Sequence, residues 1–469
     1  MYIGGAWVES SSPATIPVIC PATEQVLAEV AAGSAEDAGL AVAAARDAFR
    51  SWSSTPPAMR GKYLRRIGEA LHGRADELAS SISAELGVPR HLAQGFQVSY
   101  PLSKFSMYDE VIGTFPWEEQ IGASTVVRAP VGVVVAITPW NFPLNQAVDK
   151  IAAALLAGCT VVLKPSELTP ISALAFADAA EAAGLPPGVF NLVNGLGTTV
   201  GDALVRHPDV DMISFTGSTA TGKHIAALAS DRVARVGLEL GGKSATILLD
   251  DADLDTAIPA AIRACFLNSG QVCTAMTRLL APRSTAADVI GRVKEVTEKY
   301  TVGDPGTRVD LGPLVSSAQR ERVREYIRRG IAEGARLVTG GPEAPSGLDK
   351  GFYVKPTVFA DVTSSMTIAQ EEIFGPVLSI LAYEDDEEAA DIANDTAYGL
   401  SGAIWSGDLP RANRLARRLR VGMIKINGAN GHAIPFGGFK QSGIGREHGR
   451  FGVEEFVELQ AITNPGSGS

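Results

Sequence analysis

Three short sequence runs carry residue types that could together perform nucleophilic chemistry. Cys273 stands in Asn268-Ser-Gly-Gln-Val-Cys-Thr-Ala-Met, a thiol among small and polar neighbours. Glu239 precedes a pair of glycines, and Asn141 stands in Thr138-Pro-Trp-Asn-Phe-Pro-Leu. A nucleophilic thiol, a carboxylate base and an amide donor are the groups that acyl transfer through a thioester requires. The residues therefore predict covalent catalysis at Cys273.

The same residue types also have non-catalytic interpretations. Free cysteines are usually inert core residues, and Cys159 and Cys265 fit that description because both lie in apolar surroundings. Cys273 differs from them because it follows Asn-Ser-Gly-Gln at a predicted transition from helix to loop. Glu239 lies close to Gly241 and Gly242, and in the alternative interpretation it serves only to cap nearby backbone N–H donors.

The size and charge of the chain restrict its class. At 469 residues it is too long for one compact core, so two or three domains are expected. A hydrophobic content of 46% and a charged content of 20% are typical of a globular protein. The net charge of −11 disfavours nucleic acid as a partner, since proteins that bind phosphate backbones usually carry a basic face.

Cysteine usage and the N-terminal residues predict a soluble cytoplasmic protein. The chain has four cysteines: Cys20, Cys159, Cys265 and Cys273. None forms a Cys-x-x-Cys pair, so a reducing compartment is expected. The start lacks the basic and apolar regions of a signal peptide. Residues 129–148 are uncharged and approach the ~20 residues that span a bilayer. Their prolines instead indicate a buried strand and a loop, so no membrane partner is expected.

Apolar strands alternate with helical stretches along most of the chain. After predicted helices over Glu36–Arg50 and Arg60–Leu86, Val131-Gly-Val-Val-Val-Ala-Ile predicts a strand and Asn145–Ala157 a helix. Thr160-Val-Val-Leu-Lys predicts the next strand, and a second alternating region starts near residue 242. This pattern predicts an α/β fold with parallel strands covered on both faces. Such sheets bind ligands beyond the carboxyl ends of their strands.

Lys164-Pro-Ser-Glu167 follows directly on a predicted strand. Lys164 can donate hydrogen bonds to ribose hydroxyls, and Glu167 can accept from them. A surface turn with a salt bridge is an equally open interpretation of these residues.

Two glycine-containing runs are weaker candidates for a phosphate site. In Phe215-Thr-Gly-Ser-Thr-Ala-Thr-Gly222, Gly217 permits close backbone approach, and Ser218 can cap a helix or donate to a pyrophosphate. Gly195-Leu-Gly-Thr-Thr-Val-Gly201 differs from a dinucleotide fingerprint by one extra residue between its later glycines.

The runs around Asn141, Glu239 and Cys273 together resemble, in order and spacing, the aldehyde dehydrogenase superfamily, and the resemblance covers nearly the whole chain. It implies a Rossmann-type parallel-sheet cofactor domain, an α/β catalytic domain and a small β arm. It also implies NAD-dependent oxidation of an aldehyde to a carboxylic acid, with no metal. Cys273 would form a thiohemiacetal and then a thioester, which water activated by Glu239 would hydrolyse. The side chain of Asn141 and the backbone N–H of Cys273 would stabilise the oxyanion.

The resemblance further implies the cofactor contacts. Glu372 would hold the nicotinamide ribose, and Phe374 would pack beside the ring. Glu167 would repel a 2′-phosphate, which favours NAD over NADP, although some relatives with this residue take both. The predicted cofactor-binding residues are Ile137, Thr138, Pro139, Trp140, Lys164, Ser166, Glu167, Gly197, Gly201, Phe215, Thr216, Gly217, Ser218, Leu240, Glu372 and Phe374.

Two further interpretations concern catalysis. Lys150 stands at the position of a family lysine near the site and would relay protons or orient Glu239; a plain surface lysine is the alternative. A coenzyme A-acylating enzyme is disfavoured, because such relatives generally lack the glutamate at position 239. A non-catalytic oligomer on the same fold is disfavoured by the intact Cys273, Glu239 and Asn141.

The resemblance divides the chain into domains. Residues 1–107 and 129–241 would form the NAD-binding domain and residues 242–441 the catalytic domain. Residues 108–128 and 453–464 would form an oligomerisation arm of a homodimer or homotetramer, and residues 465–469 a flexible tail.

The resemblance implies a substrate tunnel, which here would be polar at two positions where many relatives carry aromatic residues, Asp149 and Asn430. In relatives, the tunnel is lined or bordered by the positions of Phe142, Asp149, Val272, Thr274, Asn430 and Phe436. A polar or charged aldehyde and a wide, tolerant tunnel are both open interpretations.

Overall fold

The fold was analysed in a computed structural model, which describes residues 1–431 and 433–464. The predicted tail at residues 465–469 lies outside the described residues. The strands are β1 Tyr2–Ile3, β2 Ala6–Trp7, β3 Thr15–Ile19, β4 Val26–Ala31, β5 Glu118–Ile121, β6 Ser124–Pro130, β7 Val133–Ile137, β8 Thr160–Lys164, β9 Phe190–Leu192, β10 Met212–Thr216, β11 Arg235–Glu239, β12 Ala245–Leu248, β13 Arg278–Pro282, β14 Arg336–Thr339, β15 Thr357–Ala360, β16 Val377–Tyr383, β17 Ser401–Trp405, β18 Met423–Ile426, β19 Gly443–Ile444 and β20 Val457–Thr463.

The helices are α1 Ala35–Ser53, α2 Pro57–His72, α3 Ala75–Leu86, α4 Arg90–Leu92, α5 Tyr100–Thr114, α6 Pro143–Ala157, α7 Ile171–Ala182, α8 Asp202–Arg206, α9 Thr219–Ser230, α10 Leu254–Phe266, α11 Ala286–Thr297, α12 Ser317–Ala332, α13 Thr367–Gln370, α14 Asp386–Asn394, α15 Leu409–Ala416 and α16 Gly449–Glu454. Short π-helical turns cover Ala93–Ser99 and Gly197–Gly201, and 3-10 turns cover Leu267–Gly270 and Lys440–Ser442. Within the described part of the chain, no helix has the length and apolar character needed to span a membrane.

The first sheet has eight strands in the order β19-β11-β10-β7-β8-β9-β1-β2. Its centre, from β11 to β9, is parallel, as the alternating pattern predicted. The apolar runs of β7 and β8 are buried along their whole length, because helices cover both faces of the sheet. From β7 the chain adds β8 and β9 on one side, then returns to add β10 and β11 on the other. The strand order therefore reverses between β7 and β10, the position where such sheets bind ligands.

The second sheet has seven strands in the order β14-β15-β16-β13-β12-β17-β18. All its neighbours are parallel except the edge strand β14, which pairs antiparallel with β15. The longest strand of this sheet is β16, with seven residues. Separate clusters of buried apolar residues pack against this sheet, so it has a hydrophobic core of its own.

A third sheet lies apart from both cores and has the order β20-β6-β5. β20 pairs with β6 along seven residues, from Val457 opposite Pro130 to Thr463 opposite Ser124. Leu459 is 68% exposed on this sheet, so one face presents apolar surface to solvent. The residues assigned to the arm differ in part from these strands, because α5 continues to Thr114 and β6 continues to Pro130.

One predicted helix is interrupted. The segment Arg60–Leu86 was expected to be a single helix, but α2 ends at His72 and α3 begins at Ala75. Gly73 caps the end of α2, and glycine is a poor helix former because its backbone loses the most entropy on ordering.

Helix α6 connects the first sheet to the site. Pro143 occupies its first turn, where a missing N–H is harmless, and Gly158 ends it in a left-handed conformation with φ 101°. All fifteen residues of the helix are buried, including the charged Asp149 and Lys150. Charged side chains at such positions require specific partners.

Candidate active site

The motifs predicted from the sequence meet at one edge of the first sheet. Cross-strand register places Ile137 beside Lys164 and Phe215, and Thr216 beside Glu239. The carboxyl ends of β7, β8, β10 and β11 are therefore level with one another. Three of the four predicted site segments follow these ends directly, and Glu239 is itself the last residue of β11.

The segment leading to Cys273 has an unusual backbone. Asn268 and Ser269 have positive φ angles of 52° and 56°, and Gly270 follows with φ 75°. A Cβ at Gly270 would lie 2.1 Å from the carbonyl oxygen of Gly375, so no larger residue fits there. Successive left-handed residues cost energy, and they are retained where the surrounding structure fixes them. This turn sets the direction in which Cys273 leaves α10.

Side-chain amides fix this turn and connect it to the segment that carries Asn141. The Gln271 Nε2 donates to the Asn268 carbonyl at 3.0 Å, and its Oε1 accepts from the Val315 N–H at 2.9 Å. The Asn268 Nδ2 donates to the Asn141 carbonyl at 3.0 Å, as does the Gln97 Nε2 at 2.9 Å. The Asn141 Nδ2 donates to the Gln271 carbonyl at 3.0 Å. Asn141 and the cysteine segment are thus held as one unit.

Two N–H groups of this unit are available for a ligand. Asn141 Nδ2 carries two hydrogens, and only one is used by the Gln271 carbonyl. The backbone N–H of Cys273 donates to no acceptor within residues 1–431 and 433–464. Paired donors of this kind can bind a developing oxyanion.

The Cys273 thiol is half-buried, and its pKa is raised above the ordinary value. Desolvation is the main cause, and the negative charges of Glu372 and Glu239 add to it. The thiol is therefore protonated in the free protein at neutral pH, and forming the reactive thiolate requires a change of environment or a base.

Glu239 is a buried carboxyl whose pKa is raised well above its usual value, first by desolvation and then by the charge of Glu447. Lys150 acts in the opposite direction. Within the described residues, neither carboxyl oxygen accepts a hydrogen bond. A Cβ at Gly437 would lie 2.7 Å from Glu239 Oε1, so glycine is needed to leave this carboxyl its space. A desolvated carboxyl without protein partners is suited to general base chemistry.

Lys150 is a buried residue, and the alternative that it is a plain surface lysine is wrong. Its side chain is 1% exposed because all of α6 is buried, and its Nζ forms a 2.5 Å salt bridge with Glu447 Oε1. Glu447 was not among the predicted site residues. The signal available in the sequence was only a charged Gly-Arg-Glu-His-Gly run, far from Lys150 along the chain.

The Lys150–Glu447 pair is expected to control the pH dependence of Glu239. Lys150→Met should raise the pKa of Glu239 further, because it removes the cation that favours the ionised form. If kcat rises with pH as Glu239 becomes ionised, that rise should occur at higher pH in this variant. Glu447→Gln should lower the pKa of Glu239, because it removes a negative charge that repels the ionised carboxylate, and the rise in kcat should then occur at lower pH. Each variant leaves a buried charge without its partner, so each should lose about 3–5 kcal/mol of stability. Steady-state pH profiles and denaturation measure both effects. A shift of the kcat pH profile in the same direction in both variants would contradict this coupling.

Lys164 and Glu167 lie together at the end of β8. The Lys164 Nζ donates to the Pro165 carbonyl at 2.7 Å and lies 3.3 Å from Glu167 Oε2. The Lys164 side chain is 3% exposed, whereas that of Glu167 is 34% exposed. The adjoining Ser166 is buried. The Thr138 N–H donates to the Lys164 carbonyl at 3.1 Å, which joins this turn to the segment after β7.

The segment after β10 has the geometry of a helix N-terminus open to solvent. Ser218 is exposed and caps α9, accepting from the Thr221 N–H at 3.1 Å. A Cβ at Gly217 would lie 2.4 Å from the Phe215 ring, so glycine is needed where this segment turns. The N-terminus of a helix carries partial positive charge and free N–H groups that favour phosphate.

The glycines of the residue 195–201 run do not form a dinucleotide fingerprint. Gly197 and Gly201 bound a π-helical turn in which the Leu196 carbonyl accepts from several successive N–H groups. Gly201 lies near Lys164, since a Cβ there would be 4.0 Å from the Lys164 Cδ. A Cβ at Gly197 would meet no atom within 4 Å in the described part of the chain, apart from those of its two chain neighbours.

Glu372 and Phe374 come from the second sheet's side of the molecule and reach the same edge. Glu372 Oε1 accepts from the Gly242 N–H at 3.0 Å, and burial raises the pKa of Glu372 to about 7. The Phe374 ring packs edge-on against Trp140, with centroids 5.2 Å apart. Leu240 is buried and packs against α9, where a Cβ at Gly222 would lie 2.5 Å from Leu240 Cδ2. The predicted residues of both regions are therefore in contact at this edge of the first sheet.

Comparison with known proteins identifies the class. The sequence profile of the aldehyde dehydrogenase family matches residues 7–462. A 3-succinoylsemialdehyde-pyridine dehydrogenase from a Pseudomonas species is 47% identical over 464 residues, covering 98% of this chain and 97% of the relative. The chain therefore belongs to the aldehyde dehydrogenase family.

Solved structures agree with this assignment. A mutant of aldehyde dehydrogenase C from Pseudomonas syringae, in complex with NAD+ and octanal, superposes with a TM-score of 0.98. It is 48% identical, and the match covers 99% of this chain and 97% of that one. The Mycobacterium tuberculosis aldehyde dehydrogenase complexed with NAD+ gives a TM-score of 0.96 at 43% identity, with coverage of 99% and 97%. The predicted fold class is confirmed.

Proposed function

We propose that this protein oxidises an aldehyde to a carboxylic acid with NAD, through a thioester on Cys273 that water hydrolyses. The observation that carries the proposal is the environment of Glu239. This carboxyl is buried, accepts no hydrogen bond within the described residues and has a raised pKa. It lies close enough to Cys273 for its charge to raise the thiol's pKa. A base kept in this state beside a nucleophile fits the activation of water near an acylated thiol.

In the first half-reaction, the Cys273 thiolate attacks the aldehyde carbon and forms a tetrahedral thiohemiacetal. The free N–H of the Asn141 amide and the backbone N–H of Cys273 would donate to the new oxyanion. Gln97, Asn268 and Gln271 hold these donors in place, so little reorganisation is needed as charge develops. One donor of this type typically contributes ~3–4 kcal/mol.

In the second half-reaction, Glu239 removes a proton from water as the water attacks the thioester carbonyl. The carbon–sulfur bond then breaks, and the acid leaves. Neutral water attacks thioesters slowly, so the base sets the rate of this step. The Lys150–Glu447 pair would adjust the charge on Glu239 through the opposing effects of its two members.

Residues that fit NAD lie around the same edge of the first sheet. The cofactor, when bound there, would supply the hydride acceptor that the oxidation requires. Lys164 and Glu167 would bind the adenosine ribose, the N-terminus of α9 with Gly217 and Ser218 would accept the pyrophosphate, and Glu372 would bind the nicotinamide ribose. The exposed capping serine and the glycine that clears Phe215 support this fit. Most of the remaining predicted contacts lie at or just after the ends of β7, β8, β10 and β11, whereas Gly197, Gly201 and Phe374 come from other segments.

Glu167 is expected to select against NADP. Its carboxylate would repel a 2′-phosphate at the adenosine ribose, where Lys164 alone would attract it. Glu167→Gln should raise kcat/KM for NADP about tenfold or more and lower that for NAD slightly. Steady-state kinetics with both cofactors measure the ratio. Glu29→Gln, an exposed glutamate on strand β4, is the matched control and should leave the ratio unchanged.

The substrate, assembly and location are proposals of the same kind. The relatives act on, or are bound to, aldehydes as different as a pyridine semialdehyde and octanal, so an aldehyde with an extended tail is proposed here. The exposed sheet β20-β6-β5 supports assembly into a homodimer or homotetramer through its apolar face. Dependence on a reduced thiol at Cys273 supports a cytoplasmic location.

A coenzyme A-acylating reaction is the second candidate for the second half-reaction, and Glu239 argues against it because hydrolysis would destroy the thioester. The test combines protein, NAD and a panel of aldehydes, with and without coenzyme A, and follows NADH absorbance. Hydrolytic chemistry requires NADH formation without coenzyme A and a free acid as product. Dependence on coenzyme A would contradict the proposal, as would absence of NADH with every aldehyde.

A further inference from the structure

Gln97 is a buried polar residue that belongs to none of the motifs identified in the sequence. It lies in the π-helical turn Ala93–Ser99, between α4 and α5, and has an exposed fraction of 0%. Its Nε2 donates to the carbonyl oxygen of Asn141 at 2.9 Å, across 44 positions of the chain. The preceding residue, Phe96, packs its ring on that of Phe142, with centroids 5.8 Å apart. Two consecutive residues of the turn therefore contact two consecutive residues of the segment that carries the proposed oxyanion donor.

The segment that carries Asn141 follows β7, precedes α6 and belongs to neither of them. Side chains from other parts of the chain bind its carbonyl groups. The Trp140 carbonyl accepts from the Thr169 hydroxyl at 3.1 Å, and the Asn141 carbonyl accepts from the amides of Gln97 and Asn268. The position of Asn141 therefore depends on these side chains and not on the hydrogen bonds of a strand or a helix.

The two amides on the Asn141 carbonyl come from different parts of the molecule. Asn268 belongs to the turn that leads to Cys273, so it connects Asn141 to the nucleophile. Gln97 belongs to the helical layer that packs on α3 and α6, so it connects Asn141 to the helices of the first domain. A carbonyl oxygen has two lone pairs, and these two donors use both. Together they fix the peptide group of Asn141, from which its side chain extends.

The hydrogen bond of Gln97 leaves its own side-chain oxygen unsatisfied. A carbonyl accepts only from a donor, so Nε2 must face Asn141, and Oε1 faces away from it. This Oε1 is buried and accepts no hydrogen bond from the described residues. A buried acceptor without a donor destabilises a fold, whereas an apolar side chain of the same shape does not. Stability alone would therefore favour an apolar residue at this position, and the amide is explained by the constraint that it places on Asn141.

We infer that Gln97 is a positioning residue for the proposed oxyanion site and that it acts on the reaction only through Asn141. It holds the Asn141 amide where the second N–H of Nδ2 meets the oxygen of the tetrahedral intermediate. A small displacement of such a donor lowers the rate strongly, because the stabilisation depends on its distance from the charge that develops during the reaction. The inference rests on the proposed function and adds a residue to its first half-reaction.

The experiment is a double-mutant cycle, with the rate of the NADH burst measured by stopped-flow absorbance. Gln97→Met has a similar length but no donor; it should slow the burst about tenfold, keep the affinity for NAD and unfold close to the wild-type temperature. In an Asn141→Ala background, which lacks the positioned amide, the same substitution should change the rate by less than about twofold. Gln97→Glu should keep most of the rate, because a buried carboxyl stays protonated and its O–H can donate to the same carbonyl. Gln94→Met, at an exposed glutamine of the same turn, is the matched control and should leave the rate unchanged.

Four outcomes would overturn the inference: an unchanged burst rate in Gln97→Met, an equal loss with and without the Asn141 amide, an equal loss in Gln97→Glu, or a loss of folded protein that accounts for the lost rate. Acylation by p-nitrophenyl acetate gives a second measurement that needs no NAD. The Cys273 thiolate attacks the ester carbonyl through a tetrahedral oxyanion and releases p-nitrophenolate, which is followed by absorbance. If the wild type forms no NADH with any aldehyde, the proposed function fails, and the nitrophenolate rates still decide the role of Gln97. If NADH forms but neither rate responds to Gln97, only the inference fails.

Discussion

Cys273→Ser is expected to lower kcat by at least about 10^3-fold, because an alcohol is a far weaker nucleophile than a thiolate at the same position. The substitution changes one atom, and the turn formed by Asn268, Ser269 and Gly270 should keep the hydroxyl where the thiol was. NAD affinity should therefore remain close to that of the wild type. Steady-state NADH formation measures the rate. Each enzyme is incubated with aldehyde and NAD, and the reaction is then quenched. Mass spectrometry should detect an acyl adduct on the wild type but not on Cys273→Ser.

Cys20 provides the matched control for this experiment. It is half-buried, like Cys273, but it lies near the start of the chain between β3 and β4. Cys20→Ser should keep both turnover and the trapped adduct. A Cys273→Ser enzyme that oxidises aldehydes at the wild-type rate would remove the thioester from the mechanism, whatever else it left in place.

The sequence allowed the proposed catalytic groups to be placed at one edge of the sheet because each belongs to a local run. Glu239 ends an apolar strand, and the segment of Asn141 follows another, so the rule that parallel strands end at one edge brings them together. The alternation of apolar runs and helical stretches predicted these strands without knowledge of the partners. The close backbone approach predicted at Gly217 agrees with the structure, where a Cβ would lie 2.4 Å from the Phe215 ring.

The long-range contacts between ionisable side chains could not be predicted from the sequence. Lys150 and Glu447 are 297 positions apart, and Lys104 and His448 are 344 apart. Their pairing depends on how α5 and α6 pack against the segment before α16, and no local pattern encodes that packing. A lysine in a helical stretch is usually solvated, which is why a surface position for Lys150 was a reasonable expectation. Burial of the whole of α6 overrides that tendency.

The structure also separates two polar residues that look alike in sequence. Both Asp149 and Glu239 are buried acids near the site, but their neighbours give them opposite properties. Lys104 and His448 lower the pKa of Asp149, so it is ionised, and Lys104 and Asn145 donate hydrogen bonds to its oxygens. Glu239 has no hydrogen-bond donor among the described residues, and its pKa is raised. The oxygens of Asp149 are therefore occupied, whereas Glu239 is free to exchange a proton.

Glu239→Gln is expected to keep a rapid burst of NADH, close to one equivalent per site, while steady-state kcat falls about 10^2- to 10^4-fold. The burst survives because thiolate attack and hydride transfer depend on Cys273 and Asn141. Turnover slows because the amide cannot accept a proton from water. Stopped-flow absorbance resolves the two phases, and an added strong nucleophile such as hydroxylamine should restore part of the slow phase by attacking the thioester directly.

Glu85→Gln is the matched control, because Glu85 is also fully buried and desolvation raises its pKa to about 7. Glu85 instead accepts from the backbone N–H groups of Ile171 and Ser172 at the start of α7. Its substitution should lower stability without changing the ratio of burst to steady-state rate. Loss of the burst in Glu239→Gln would show that the carboxylate acts before the thioester forms. In that case Glu239, with its raised pKa, would act as the base that removes the proton from Cys273, and another group would have to activate the water.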